Sequence, residues 1–179
     1  VNVNLTSRNY QMLPVEITLT LQEKPTANDI TVTMDSWTYG EAAKELQVNG
    51  LPTGVELTDP AVTVTYTNTK DGTTSSERPT DAGSYTVTVS YETDTVIHTG
   101  TKDFTIGQKD LQQEMLARIT GDRYYNGTEQ TPDVTVTDGE KTLGKDVDYT
   151  VSYSNNTNAS TPTSQAIATV TGKGNYKGI

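Results

Sequence analysis

Polar and apolar residues alternate most clearly in Asp81–Glu92, DAGSYTVTVSYE. Tyr85, Val87, Val89 and Tyr91 fall on one side of an extended chain, and Thr86, Thr88 and Ser90 on the other. A period of two marks a half-buried strand of an antiparallel sheet. Asp148–Ser154, DYTVSYS, repeats the pattern with Tyr149, Val151 and Tyr153. The same reading predicts strands at Ile30–Met34, Ala61–Thr67, Lys102–Ile106, Val134–Thr137 and Gln165–Thr171. Asn49-Gly50, Lys70-Asp71-Gly72, Asn126-Gly127 and Asp138-Gly139 supply the positive-φ residues of tight turns between them. Lys109–Thr120, KDLQQEMLARIT, fits two templates. Leu111, Met115, Leu116 and Ile119 would line a helix, whereas Met115, Ala117 and Ile119 would line a strand, and a strand over Glu114–Thr120 is the preferred reading.

Short strands with turn signals every 8–12 residues or so predict all-β, antiparallel β-sandwiches. The punctuation divides the chain at Glu23–Thr26, where Pro25 interrupts ladder pairing, and again at Gly107–Lys109. The expected parts are a leading piece over 1–23, a module over 24–107 and a module over 108–179. Composition agrees, since about a fifth of the residues are Thr, and residues branched at Cβ suit pleated strands. The hydrophobic fraction of 32% suits thin cores better than one large core.

Tyr124–Gly178 contains YYNGTEQTPDVTVTDGEKTLGKDVDYTVSYSNN and ends in GKGNYKG, and the middle module contains WTYGE and RPTDAGSYTVTVSY. These stretches resemble the bacterial immunoglobulin-like repeats found in large surface proteins of gut Firmicutes. Ser160 stands where that pattern has Gly. The resemblance implies tandem immunoglobulin-like sandwiches on a bacterial cell surface, outside the cell, with neighbouring repeats of the same chain as partners. Gly83, Gly172 and Gly174 would then allow sharp turns, and Tyr85 and Tyr149 would act as tyrosine corners.

Chemistry is sparse in the sequence. There is no Cys, so neither disulfides nor thiolate ligands enter. The net charge of −10 disfavours nucleic acid and anionic membranes, and no apolar run approaches the roughly 20 residues that span a bilayer. His98 is the single histidine, placed in a loop or at a strand end, which points away from an enzyme. Asp146 and Asp148 form a weak calcium candidate and otherwise a solvated face, so no metal and no cofactor is expected. Lys24 and Lys102 border strands without the acid and Asn of an isopeptide crosslink. Sequons at Asn4, Asn126, Asn155 and Asn158 arise easily in an Asn/Thr-rich chain. Trp37 and Tyr39 are the candidate ligand-binding residues, as aromatic platforms for a host or plant glycan. Trp37 as a core residue is the stronger reading.

The function expected is therefore a stalk that projects other domains, with an adhesive module for mucin or plant glycan as the alternative. One further expectation comes from Asn9-Tyr10, which repeats Asn175-Tyr176. Residues 1–23 then read as the trailing strands of a preceding repeat, and 108–179 as a module lacking its last strand. Leu13, Val15, Ile17, Leu19 and Leu21 give Leu13–Gln22 one apolar face. This strand is expected either to complete another molecule or to pack as a hairpin on the middle module.

Overall fold

The computed structural model describes residues 22–111, 115–119 and 124–179, so the features expected within 1–21, the apolar face of Leu13–Leu21 and the sequon at Asn4 among them, lie outside the described residues. The fold is all-β, and no helix occurs among the described residues. The strands are β1 (Thr26–Ala27), β2 (Thr31–Thr33), β3 (Trp37–Thr38), β4 (Gln47–Asn49), β5 (Val62–Asn68), β6 (Thr74–Ser75), β7 (Gly83–Glu92) and β8 (Ile97–Gly107). Then follow β9 (Lys109–Asp110), β10 (Leu116–Ile119), β11 (Val134–Asp138), β12 (Lys141–Thr142), β13 (Tyr149–Ser154), β14 (Ile167–Gly172) and β15 (Tyr176–Lys177).

In the first unit, one sheet runs in the order β1-β8-β7-β5-β6, with β3 also on β8, and β2 pairs with β4 in a second, smaller sheet. The alternation of β7 sets its register. Val87 faces Tyr66 across β5, and Tyr85 faces Phe104 across β8. Side chains opposite one another in a sheet share a face, so these rings and branched chains meet Ile30, Val32 and Met34 in a single buried cluster. Val87 and Val89 are both 0% exposed, while Tyr91 is half-buried.

The second unit has a sheet of β10-β11-β12 and a hairpin of β13 and β14. Val134, Val136, Leu143, Tyr149 and Tyr176 form its buried cluster, with Val151 and Tyr153 half-buried against it. The described part of Lys109–Thr120 is extended, so its apolar residues follow a strand and not a helix.

The predicted turn glycines, Gly50, Gly72, Gly127 and Gly139, all have positive φ. Of three other signature residues, Gly83 and Tyr149 act differently from expectation and Tyr85 acts as expected. Gly83 has no positive φ. It lies in β7, where a Cβ would come within 3.0 Å of the Tyr85 hydroxyl, so it makes room for that ring. The Tyr85 hydroxyl donates to the Asp81 carbonyl at 2.9 Å, a local corner as expected. Tyr149 instead reaches across the fold and donates to the Val134 carbonyl at 2.6 Å, tying β13 to β11.

Candidate functional site

The most organised polar arrangement lies where the two units meet. Only Gln108 separates β8 from β9, so the chain enters the second unit with almost no slack. β9 pairs in parallel with β15, placing Lys109 beside Tyr176. β15 follows Gly174, whose φ is +62° and whose Cβ position lies 2.8 Å from the Val147 carbonyl oxygen. Both conditions favour glycine, and they aim Asn175 back at the first unit.

Asn175 reads the Asp-Ala-Gly stretch that leads into β7. Its side-chain oxygen accepts from the Ala82 amide at 2.6 Å, and its Nδ2 donates to Asp81 Oδ1 at 2.9 Å. Its own carbonyl accepts from the Lys109 amide at 2.9 Å. Gln108 Nε2 donates to the Gly174 carbonyl at 2.8 Å and to that of Tyr176 at 3.2 Å. Together these bonds tie Asp81-Ala82 and Gln108-Lys109 to Gly174–Tyr176.

Aromatic rings fill the same junction. Tyr39 follows β3, which is held in parallel on the end of β8, and the Tyr39 amide donates to the Gly107 carbonyl at 2.8 Å. Its half-buried ring packs against both buried clusters and meets Tyr176 edge-on, centroids 5.5 Å apart. Lys141 Nζ donates to the Tyr39 hydroxyl at 2.9 Å and stands 5.3 Å and 5.5 Å from the Tyr39 and Tyr176 ring centroids. A cation within about 6 Å of a ring is attracted by its quadrupole. Beneath it, Lys109 Nζ reaches both oxygens of Asp138, at 2.7 and 2.6 Å, and the Tyr176 hydroxyl donates to Asp138 at 3.2 Å.

Electrostatics follow from that packing. The Tyr176 hydroxyl is pushed up to about 12, chiefly by burial; Lys141 opposes this and the bond to Asp138 adds to it. Lys141 is raised above the usual lysine range, first by its bond to Tyr39. Neither of these two groups titrates near neutrality.

The residues proposed from sequence are otherwise dispersed. Trp37 is buried and stacks on Phe104 with centroids 5.4 Å apart, so its ring is a core element and not a surface platform. Tyr39 is half-buried at the junction, against Tyr176 and Lys141. Asp146 and Asp148 do not share a strand face. Asp146 has a φ of +67°, and Asp148 is buried, accepting from the Gly144 amide at 2.9 Å. Asp148 is thus a structural acceptor for the turn before β13, which corrects the solvated-face reading. No group of three or more His, Cys, Asp or Glu that could hold a metal is found among the described residues. His98 is the second residue of β8, within the sheet and 2.7 Å from Asp29. Lys24 pairs with Glu92 at 2.6 Å, while Lys102 is exposed. Asn126 accepts from Thr128 within its turn, and Asn155 donates to the Gln165 carbonyl. Asn158 is exposed. No helix among the described residues is long and apolar enough to cross a membrane.

Sequence reasoning missed Asn175, Asp81, Lys141 and Lys109 as partners. The sole available signal was the residue pattern of the GNY and DAG stretches, which says nothing of their meeting. No family model matches the chain, and neither a curated protein nor a solved structure matches it.

Proposed function

We propose that the chain is a pair of immunoglobulin-like repeats of a bacterial cell-surface protein, working outside the cell as a stalk segment. The observation that carries this reading is the junction. A one-residue connection, Asn175 clamped on Asp81 and Ala82, and Lys141 seated against Tyr39 and Tyr176 oppose bending between the units. A stalk needs such resistance to project whatever it carries. The candidate aromatic residues support the same reading, because Trp37 is buried on Phe104 and the half-buried Tyr39 is engaged by Tyr176 and Lys141 across the joint.

The adhesive alternative rests on a cleft of about 760 Å³ beside the junction, lined by Lys70, Asp81, Ser84, Gln108 and Asn175 among others. Ala82, Ile106 and Val147 give it an apolar wall, but no aromatic ring lines it to stack on a sugar. The stalk is the better reading.

Small-angle scattering on the full chain tests it. One rigid, elongated particle is expected, with a broader distance distribution in a Tyr39→Ala, Asn175→Ala variant. A wild-type chain already as flexible as the variant would overturn the stalk. Specific retention of the intact chain on a glycan array would favour adhesion instead.

A further inference from the structure

A cleft on the first unit lies between the β5–β6 hairpin and the chain that leads from β6 to β7. It holds about 340 Å³, and Tyr66, Asn68, Glu77, Arg78 and Tyr85 are among its walls. That volume falls at the small end of ligand sites, which span about 300–1,000 Å³. All its lining residues fall within 66–85, so the first unit alone builds it.

The walls are fixed before anything binds. In the hairpin, the Asn68 amide donates to the Thr73 carbonyl and the Gly72 amide to the Asn68 carbonyl, both at 2.8 Å. On the connecting chain, the Glu77 amide donates to Ser75 Oγ at 2.9 Å, and the Tyr85 hydroxyl holds the Asp81 carbonyl. Between those ties, Arg78 Nη1 donates to the Lys44 carbonyl at 2.9 Å, which anchors the guanidinium. Walls held this way need little further ordering when a ligand enters.

Several donors in this cleft lack acceptors. Tyr66 is 8% exposed, yet its hydroxyl makes no hydrogen bond among the described residues. No sealed polar side-chain atom there is without a partner, so this hydroxyl opens to the cleft that Tyr66 lines. Burial raises it above the usual tyrosine range and Arg78 opposes the rise, which puts the guanidinium within reach of it. Arg78 forms no ion pair among the described residues, although the chain has a net charge of −10. Most of its N–H fork is therefore free. Asn68 Oδ1 accepts from the Lys70 amide at 2.9 Å, and its Nδ2 has no acceptor among the described residues.

Donors that converge in this way suit a carboxylate, whose two oxygens match a guanidinium fork. Glu77 and Asp81 on the same walls narrow the choice. A bare acid would meet them as like charges, whereas hydroxyl groups would donate to them. A neutral polyol would satisfy the two carboxylates and leave Arg78 unpaired.

We propose that this cleft binds a hydroxy-carboxylate about the size of one sugar ring. Its carboxylate lies on Arg78 and the Tyr66 hydroxyl, and its hydroxyls lie on Glu77 and Asn68. A ligand this small has a dissociation constant on the order of 1 mM. That is too weak to retain the chain on a glycan array, so the site adds a ligand to the stalk and leaves that reading intact.

Chemical-shift titration of the full chain with glucuronate tests the proposal. Amide signals of Thr74, Ser75 and Glu77 and the Arg78 Nε–H should shift and saturate in the millimolar range. Acetate, which lacks hydroxyls, and glucose, which lacks the carboxylate, should each bind about tenfold more weakly. Tyr66→Phe keeps the ring and removes one donor, and should weaken glucuronate about fivefold. Arg78→Gln should abolish saturation with thermal melting unchanged; if melting falls, Tyr66→Phe decides alone. Methyl glucuronide and gluconate separate two sources of this chemistry, an acidic sugar within a glycan and a free hydroxy acid, and tight binding of either supports the proposal. Glucuronate shifts that never saturate overturn it. So does acetate binding as well as glucuronate, or glucuronate binding that Tyr66→Phe leaves unchanged.

Discussion

β7 and β14 are both alternating strands, and they lie in different surroundings. β7 lies between β5 and β8, and its Val87 and Val89 reach complete burial. β14 has β13 on one side, and its Ala168 and Val170 stay half-buried. The contrast teaches that alternation predicts a face, whereas the neighbour beyond the strand decides how much that face stabilises.

The largest effect should come from placing a charge on each face in turn. Val87→Asp puts a carboxylate among Val89, Tyr66 and Phe104 with no partner, a change expected to cost more than about 4 kcal/mol and to unfold the first unit. Val151→Asp in the second unit can turn its carboxylate toward water, and a loss closer to 1–2 kcal/mol is expected. Chemical denaturation of both variants gives the comparison, and equal losses would show that the two cores are closed to the same degree.

Tyr176→Ala should rank next. Removing a fully buried aromatic costs about 3–5 kcal/mol, and this ring also carries the joint. Loss of the second unit's melting transition, with the first unit's retained, is the expected calorimetric result.

Alkaline titration is the third probe. The Tyr176 hydroxyl is raised from 10.0 to about 12, so its contribution is complete below pH 10 and disappears as pH rises from there through 12. The loss is about 3 kcal/mol. Tyr66 and Tyr85 are raised by burial as well, so both units weaken in strong alkali. Tyr176→Phe should remove the second unit's share, seen as a flatter stability profile above pH 10.

The smallest effect is expected from Asn175→Ala. It breaks bonds to Asp81 and Ala82 at an exposed or half-buried edge, worth about 1 kcal/mol together. Its signature should be wider interunit motion in spin-label distance measurements, with little change in melting.

Much of the fold was legible because β5, β7, β11 and β13 each carry their alternation within a few residues. β8 was only partly legible. Lys102–Ile106 reads as a strand, but Ile97–Thr101 contains His98 and Gly100 and looks like a loop. It is extended because Ile30 donates to the Thr99 carbonyl at 3.2 Å and its carbonyl passes so close to Gly100 that a Cβ there would lie 2.1 Å away. The junction was illegible for a related reason. Asn175 lies 94 residues from Asp81, and Lys141 lies 102 from Tyr39, so no local period connects them. Asp148 was misread because a short acid beside a turn has the same sequence whether it faces water or caps an amide.

The parallel pairing of β1 and β3 with β8 has a mechanical consequence. If Lys24 and Gly107 were drawn apart, β1 and β8 would be dragged past each other along their length. The bonds from Ile97 to the Pro25 carbonyl at 3.0 Å and from Ile30 to the Thr99 carbonyl would be strained together rather than one after another. Tension directed this way meets shear resistance, whereas the β5–β6 hairpin lies outside the path and would carry almost none. A fold held in this manner yields abruptly at a threshold force, and below that threshold it transmits load with little extension.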